Sequence, residues 1–263
     1  SRPRVESGRS RPRISGEGKS QREGGAQGAA AAARGIYRPD LGAVRPLTRA
    51  ERSNFTETST PQDVRAFLDS LQAMDSAIVV GTFGRSADGQ EIPYVIASRP
   101  LVRTPLEARA LDRPIVFVQG GIHGGEVEGK EALLSALRDL ARDRYTNAAD
   151  SVVIVAVPIY NIDGNDSLGP QEQNRSSQQG PAMVGQRANG QGLDLNRDYV
   201  KAEAPETRAA LAAFARWDPD VFVDLHTTNG SYHGYALTYS PSLHPAAPLG
   251  RFTHDTLLPA LQA

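Results

Sequence analysis

Cysteine is absent from all 263 residues, which excludes thiolate metal sites, cysteine nucleophiles and a disulfide framework. An excess of either charge is also missing. The 29 Lys and Arg residues meet 30 Asp and Glu, for a formal net charge of −1, so no global field draws the chain toward nucleic acid or an anionic surface. No run approaches the ~18 apolar residues that a membrane span needs. A signal peptide is not found either: the chain starts at Ser1, and the alanine run Ala29–Ala33 is short and weakly apolar. A start without methionine reads as a fragment or a processed chain. None of these absences assigns a compartment.

The remaining composition is ordinary for a globular protein: 39% hydrophobic and 22% charged, enough for a core of normal size. The length fits one large α/β domain or two small ones. Residues 1–34 form a separate zone rich in Arg, Gly, Ser and Gln, with almost no large apolar side chains. Such a segment cannot bury enough surface to offset its ordering entropy, and it is expected to be a disordered basic tail. Arg2, Arg4, Arg9, Arg11, Arg13, Lys19 and Arg22 stand there against Glu6, Glu17 and Glu23. Without interleaved aromatics the basic residues lack the stacking platform of a nucleic-acid arm, and no nucleic-acid partner is expected. Residues 35–60 read as a linker packed on the domain surface, and 61–263 as the folded domain.

Thr60-Pro61-Gln62-Asp63 offers an N-cap, a proline at the first helical position and an acid in the first turn. Val64, Phe67, Leu68 and Leu71 then recur at helical spacing. Two extended runs, 77–84 and 91–98, flank Asp88-Gly89 and predict a β-hairpin. From there the order turns α/β. Residues 114–119 predict a buried strand, 127–143 a helix, 151–160 a second buried strand, 204–217 a helix and 221–225 a third buried strand. Continuous apolar strands joined by helical crossovers imply a mixed, largely parallel central sheet with helices on both faces. Between 161 and 200 lies a Gly-, Asn- and Gln-rich stretch; irregular runs of that length inside a domain are usually functional.

The chemistry gathers at predicted strand ends. His123 and Glu126 lie in Gly120-Gly121-Ile122-His123-Gly124-Gly125-Glu126, directly after the 114–119 strand, and His226 ends the 221–225 strand. Ligands of open α/β sheets bind outside the carboxyl ends of the strands, so these distant positions can converge. Two imidazoles and one carboxylate are a catalytic zinc donor set that leaves a coordination position open. The glycines around His123 let the backbone turn sharply and approach a metal closely. The long stretch closes with Gly192-Leu193-Asp194-Leu195-Asn196-Arg197-Asp198-Tyr199, and Arg187 precedes it. The planar guanidinium of Arg197 matches a carboxylate, and Asn196 adds a neutral donor. Two blander readings stay open: arginines paired with Asp198 or Glu203, and Asp194 as a capping or turn residue.

Gly-x-His-Gly-x-Glu, then Asp-Leu-Asn-Arg-Asp, then Asp-Leu-His resembles the zinc carboxypeptidase family of the carboxypeptidase A type, over about residues 60–240. The resemblance implies a carboxypeptidase-like α/β fold and one zinc per chain, held by His123, Glu126 and His226. It makes Asn196 and Arg197 the grip on the substrate's terminal carboxylate and Asp194 the outer partner of His123. Arg187 becomes the catalytic cation that polarises the scissile carbonyl. Asn161-Ile162-Asp163-Gly164 is similar to the family's Asn-Pro-Asp-Gly turn, with Ile in the proline position. The implied substrate is a peptide, or a small molecule with a C-terminal carboxylate; an extracytoplasmic location follows from the resemblance alone. No membrane partner is expected, and the oligomeric state is not legible.

The family's water-activating glutamate lies well past the third ligand. After His226 this sequence has no glutamate and a single acid, Asp255. Tyr232, Tyr235 and Tyr239 are too close to His226 to take the family's substrate-closing tyrosine role. Residues 256–263 read as a helix without a stop signal, so the fold is expected to be incomplete at its C-terminus, and the chain to bind zinc yet hydrolyse poorly. Two alternatives accompany this reading: an N-acyl amino acid deacylase of the aspartoacylase or succinylglutamate desuccinylase type, and an inactive domain that binds peptide C-termini.

Overall fold

A computed structural model describes residues 46–142, 148–227, 238 and 245–262. The expected basic tail, residues 35–45 of the expected linker, and Tyr232, Tyr235 and Tyr239 lie outside the described residues.

Residues 46–60 do more than pass over a surface. Helix α1 (Arg49–Arg52) is closed by a reciprocal capping box between Thr48 and Glu51. The Glu51 carboxylate also meets the fully buried Arg138 guanidinium at 2.5 Å. Downstream, Glu131 accepts from Thr58 Oγ1, the Ser59 backbone N–H and Ser59 Oγ. Helix α2 (Pro61–Met74) begins as its sequence dictates, with Thr60 as N-cap, Pro61 in the first turn and Asp63 returning a bond to the cap. Its buried stripe is Val64, Phe67, Leu68 and Leu71.

Strands β1 (Ile78–Arg85) and β2 (Glu91–Ala97) form the expected antiparallel hairpin. A short helix α3 (Pro105–Ala110), capped by Thr104, was not anticipated. Strand β3 (Ile115–Gly120) leads through the His123 turn into α4 (Val127–Ala141), whose Leu133, Leu134, Leu137 and Leu140 are buried. The expected strand 151–160 is shorter. Ser151 ends a helical turn, α5 (Ala148–Ser151), and β4 covers only Val153–Val157. It stops before Pro158, which has no N–H to donate to a ladder.

The stretch 161–200 is more structured than its composition suggested. It holds α6 (Ile162–Asp166), a two-strand ladder of β5 (Gly169–Pro170) and β6 (Met183–Val184), α7 (Gln171–Asn174) between them, and a 3-10 turn at Leu195–Arg197. Helix α8 (Pro205–Trp217) and strand β7 (Val221–Leu225) follow. The last described residues are helical, as α9 (Ala247–Phe252), a π turn and α10 (Leu258–Gln262).

The main sheet has the order β1-β2-β4-β3-β7. β2 pairs antiparallel with β4, whereas β3 runs parallel to both β4 and β7. Phe117 and Gln119 point toward Leu211 and Phe214 of α8 around an apolar hollow of about 290 Å³. Side chains alternate along a strand, and on the opposite face Gly129 of α4 lies so close that a Cβ there would meet Leu225 Cβ at 2.7 Å. Helices therefore cover both faces, as the α/β reading requires. β7 departs from the expected burial: Val221, Phe222 and Val223 are 39%, 43% and 36% exposed. It is the last strand of this sheet among the described residues, so its side chains find neighbours on one side only.

The hairpin turn between β1 and β2 is tied to the long stretch. The Ala87 N–H donates to Glu206 Oε1 at 3.0 Å and the Asp88 N–H to Asp163 Oδ2 at 3.1 Å. Glu206 Oε2 in turn accepts from Asn189 Nδ2 at 3.1 Å.

Candidate metal centre

β3 and β7 are parallel neighbours, so both deliver their carboxyl ends to the same edge, where Gly120 is in register with Leu225. The chain leaves β3 through Gly121, whose φ of 68° lies in the left-handed region that favours glycine. Three residues later, Gly124 packs directly on the Gly164 carbonyl, in space that a Cβ would fill. The expectation that glycines shape the His123 turn is thus met at two positions for two different reasons.

His123 and Glu126 are buried, and His226 is partly exposed. Their donor atoms all lie within 4.8 Å of one another. Glu126 Oε1 is 2.7 Å from His123 Nδ1, and Oε2 is 3.0 Å from His226 Nδ1. Each histidine turns its other nitrogen to an acid: His123 Nε2 to Asp194 Oδ1 at 3.1 Å, and His226 Nε2 to Asp224 Oδ2 at 3.1 Å. Both Nδ1 atoms therefore face the shared carboxylate. Outer acids of this kind fix the tautomer and ring orientation of a ligating histidine.

The charges fit this arrangement. Burial by itself would raise the Glu126 pKa, but bonds from His123, His226 and the Thr227 N–H, with Arg175 nearby, hold it far below the usual carboxylate range. His226 is pushed up to about 9, first by its bond to Asp224 and then by Glu126. At Asp194 burial is outweighed by His123 and Arg187, which keep the pKa lowered. Glu126 is therefore held as a carboxylate between two imidazoles, a donor set of the kind that binds a cation.

Arg187 lies at this centre: its Nε donates to Asp194 Oδ2 at 2.8 Å and its Nη1 is 3.4 Å from His123 Nδ1. Asp194 is also the N-cap of the 3-10 turn, accepting from the Asn196 N–H at 2.9 Å. The capping reading of Asp194 holds, and the same carboxylate also meets His123 Nε2. Asn196 and Arg197 follow on that turn. Arg197 is exposed and donates to the Asn196 carbonyl; among the described residues it makes no ion pair. Asp198 instead accepts from the backbone of Glu203 and Ala204, so the reading that pairs these arginines with Asp198 or Glu203 does not describe the fold.

The Ile162 substitution does not loosen its turn. Asn161 Oδ1 accepts from the Gly164 N–H, and its Nδ2 donates to the carbonyls of Ile122 and Arg187. One buried amide thereby ties the His123 turn to the Arg187 segment. Asp224, Arg175 and Asn161 are contacts that residue spacing did not assign. For Asp224 a signal was present, since it begins Asp-Leu-His.

The zinc carboxypeptidase family (peptidase M14) is matched by residues 64–248. The chain belongs to this family of metallopeptidases. Carboxypeptidase 2 of Trichophyton rubrum is 30% identical over 146 residues, covering 54% of this chain and 23% of that protein. Carboxypeptidase 2 of Trichophyton tonsurans is 28% identical over 144 residues, again 54% of this chain and 23% of that one. The chain thus spans about a quarter of the length of the curated relatives it matches. Among solved structures, carboxypeptidase A of Helicoverpa armigera superposes with a TM-score of 0.53 at 21% identity, covering 76% of this chain and 50% of that chain. A metallo-carboxypeptidase of Burkholderia cenocepacia gives 0.53 at 20% identity, covering 67% and 43%. Those likenesses establish the fold as carboxypeptidase-like.

Proposed function

We propose that the chain carries the zinc-binding and carboxylate-anchoring part of a metallocarboxypeptidase, whose reaction is hydrolysis of the C-terminal peptide bond. The observation that carries this reading is the convergence of His123, Glu126 and His226 within 4.8 Å, with an outer acid on each histidine. One zinc ion would be held by His123 Nδ1, Glu126 and His226 Nδ1, supplying Lewis-acid chemistry when bound. Asp194 and Asp224 keep the two imidazoles oriented. Arg197, exposed and without an acidic partner among the described residues, binds the substrate's terminal carboxylate with Asn196 beside it. Arg187, whose Nη1 lies 3.4 Å from His123 Nδ1, stabilises the charge that develops on the carbonyl oxygen, a contribution of about 3 kcal/mol for one donor.

No helix among the described residues is long and apolar enough to cross a membrane; an extracytoplasmic location is supported by the family likeness alone.

Elemental analysis of the purified chain beside a His123→Ala, His226→Ala double variant tests the core of this reading. About one zinc per wild-type chain, lost in the variant, supports it. A folded wild-type chain without zinc after exposure to the metal removes it.

A further inference from the structure

The third member of the triad is supported differently from the histidines. Glu126 is held on its outer edge by two donors. Arg175 Nη2 lies 2.8 Å from Oε1, and the Thr227 N–H donates to Oε2 at 2.9 Å. The same two oxygens face His123 Nδ1 and His226 Nδ1. A carboxylate oxygen has two lone pairs. Each oxygen thus has one supporting contact, Arg175 or the Thr227 N–H, besides the histidine nitrogen it faces.

Arg175 comes from the segment just after α7, and its stem reaches the centre across Gly125. A Cβ at Gly125 would stand 3.1 Å from Arg175 Cδ and 3.2 Å from Arg175 Cβ, so a larger residue there would crowd the arginine. Arg175 Nε donates to Gln178 Oε1 at 2.6 Å, and Gln178 Nε2 donates to Thr227 Oγ1 at 2.7 Å. Through these bonds one short segment touches both the residue that ends the β3 turn and the residue after His226. The Arg175 side chain is only 12% exposed, and a guanidinium so far withdrawn from water needs an anionic partner. Glu126 is that partner.

We infer that Arg175, locked by Gln178, is a positioning residue that fixes Glu126 so that both carboxylate oxygens face the metal position. This rests on reading the triad as a zinc site. Charge and geometry make opposite demands here. Removing a cation beside a cation site would tighten metal binding by electrostatics alone, whereas removing a positioning contact loosens it. The sign of the change therefore decides the role.

The test is zinc titration against a chromophoric chelator, with the cobalt(II) absorption spectrum as a report on ligand geometry. It compares the wild-type chain with Arg175→Ala, Arg175→Lys and Gln178→Ala. Arg175→Ala is expected to lose about ten- to a hundred-fold in zinc affinity and to alter the cobalt spectrum. Arg175→Lys restores part of the loss through its ammonium, which lacks the planar fork of a guanidinium, and millimolar ethylguanidinium restores affinity to Arg175→Ala. Gln178→Ala, which keeps the charge and loosens its tether, loses less and shifts the spectrum in the same direction; it carries the test if Arg175→Ala does not fold. Equal or tighter zinc binding with an unchanged cobalt spectrum overturns the inference and leaves the metal site standing. A wild-type chain that binds neither metal overturns the metal site itself.

Discussion

His123 Nε2 and Asp194 Oδ1 lie 3.1 Å apart although 71 residues separate them in the chain. The contact joins the turn after β3 to the N-cap of the 3-10 turn that carries Asn196 and Arg197. Asp194→Ala should therefore remove three things together: the orientation of His123, the cap, and the tether on Arg187. Zinc affinity is expected to fall about ten- to a hundred-fold. Competition titration with a chelator checks it; an affinity equal to wild type would show that His123 is held by its burial alone.

Arg197 sets up a second expectation. A charge-assisted hydrogen bond contributes about 1.5–3 kcal/mol, so the chain should bind a short peptide with a free C-terminus roughly ten- to a hundred-fold more tightly than its C-terminal amide. In Arg197→Ala that preference should vanish while zinc content stays at the wild-type level. Calorimetric titration of both peptides into the zinc-loaded chain reads the difference. Equal binding of acid and amide by wild type would remove Arg197 from the anchor.

Lys130 makes a prediction about pH. It is fully buried, with Nζ donating to the Ser59 carbonyl at 2.6 Å and Asn165 Oδ1 at 3.2 Å, and burial brings its pKa down to about 8. The folded group thus releases its proton well below the ordinary lysine range. Between about pH 8 and the unfolded value of 10.5 the unfolded chain holds more protons. Stability should rise with pH across that window, by about 1.4 kcal/mol per pH unit, and the destabilisation should be fully present below it. Tyr160, pushed up by burial, acts in the opposite direction above pH 10, so the measurement is the difference between urea midpoints of wild type and Lys130→Met. A difference that does not change with pH would show that Lys130 keeps an ordinary pKa.

The Glu51–Arg138 pair tests how far the domain extends before α2. Breaking a buried pair by removing one partner costs about 3–5 kcal/mol, because the other charge stays behind in a poorly solvated place. Glu51→Ala should destabilise the chain by that amount in urea unfolding, with the metal site unaffected in the folded fraction. A change under 1 kcal/mol would mean that α1 contributes little to the fold.

Much of this architecture could be read from the sequence because periodicity and punctuation agreed. Thr60-Pro61-Gln62-Asp63 started a helix where it should, and the apolar runs at 114–119 and 221–225 became parallel neighbours, the first shifted by one residue. The convergence of His123, Glu126 and His226 was legible for the same reason, since they sat at the ends of two neighbouring strands. The supporting residues were less visible. Arg175 reaches Glu126 only because the segment around α7 folds back, and nothing in the spacing of a Gln-rich run encodes that return. Asn161 was noticed for the residue after it, whereas its own amide makes the bonds that hold the turn. The exposure of β7 was misread because an apolar run announces a strand without saying whether another strand lies beyond it.

The hairpin turn at Ser86–Gln90 has a practical consequence for anyone redesigning this chain. Loop tips of small polar residues are ordinarily the first choice for grafting a tag or opening a permuted terminus. Here the Ala87 and Asp88 amides are committed to Glu206 and Asp163, and Glu206 in turn holds Asn189, two residues after Arg187. A graft at this tip would be felt at the far end of those bonds, in the segment that places Arg187 and Asp194.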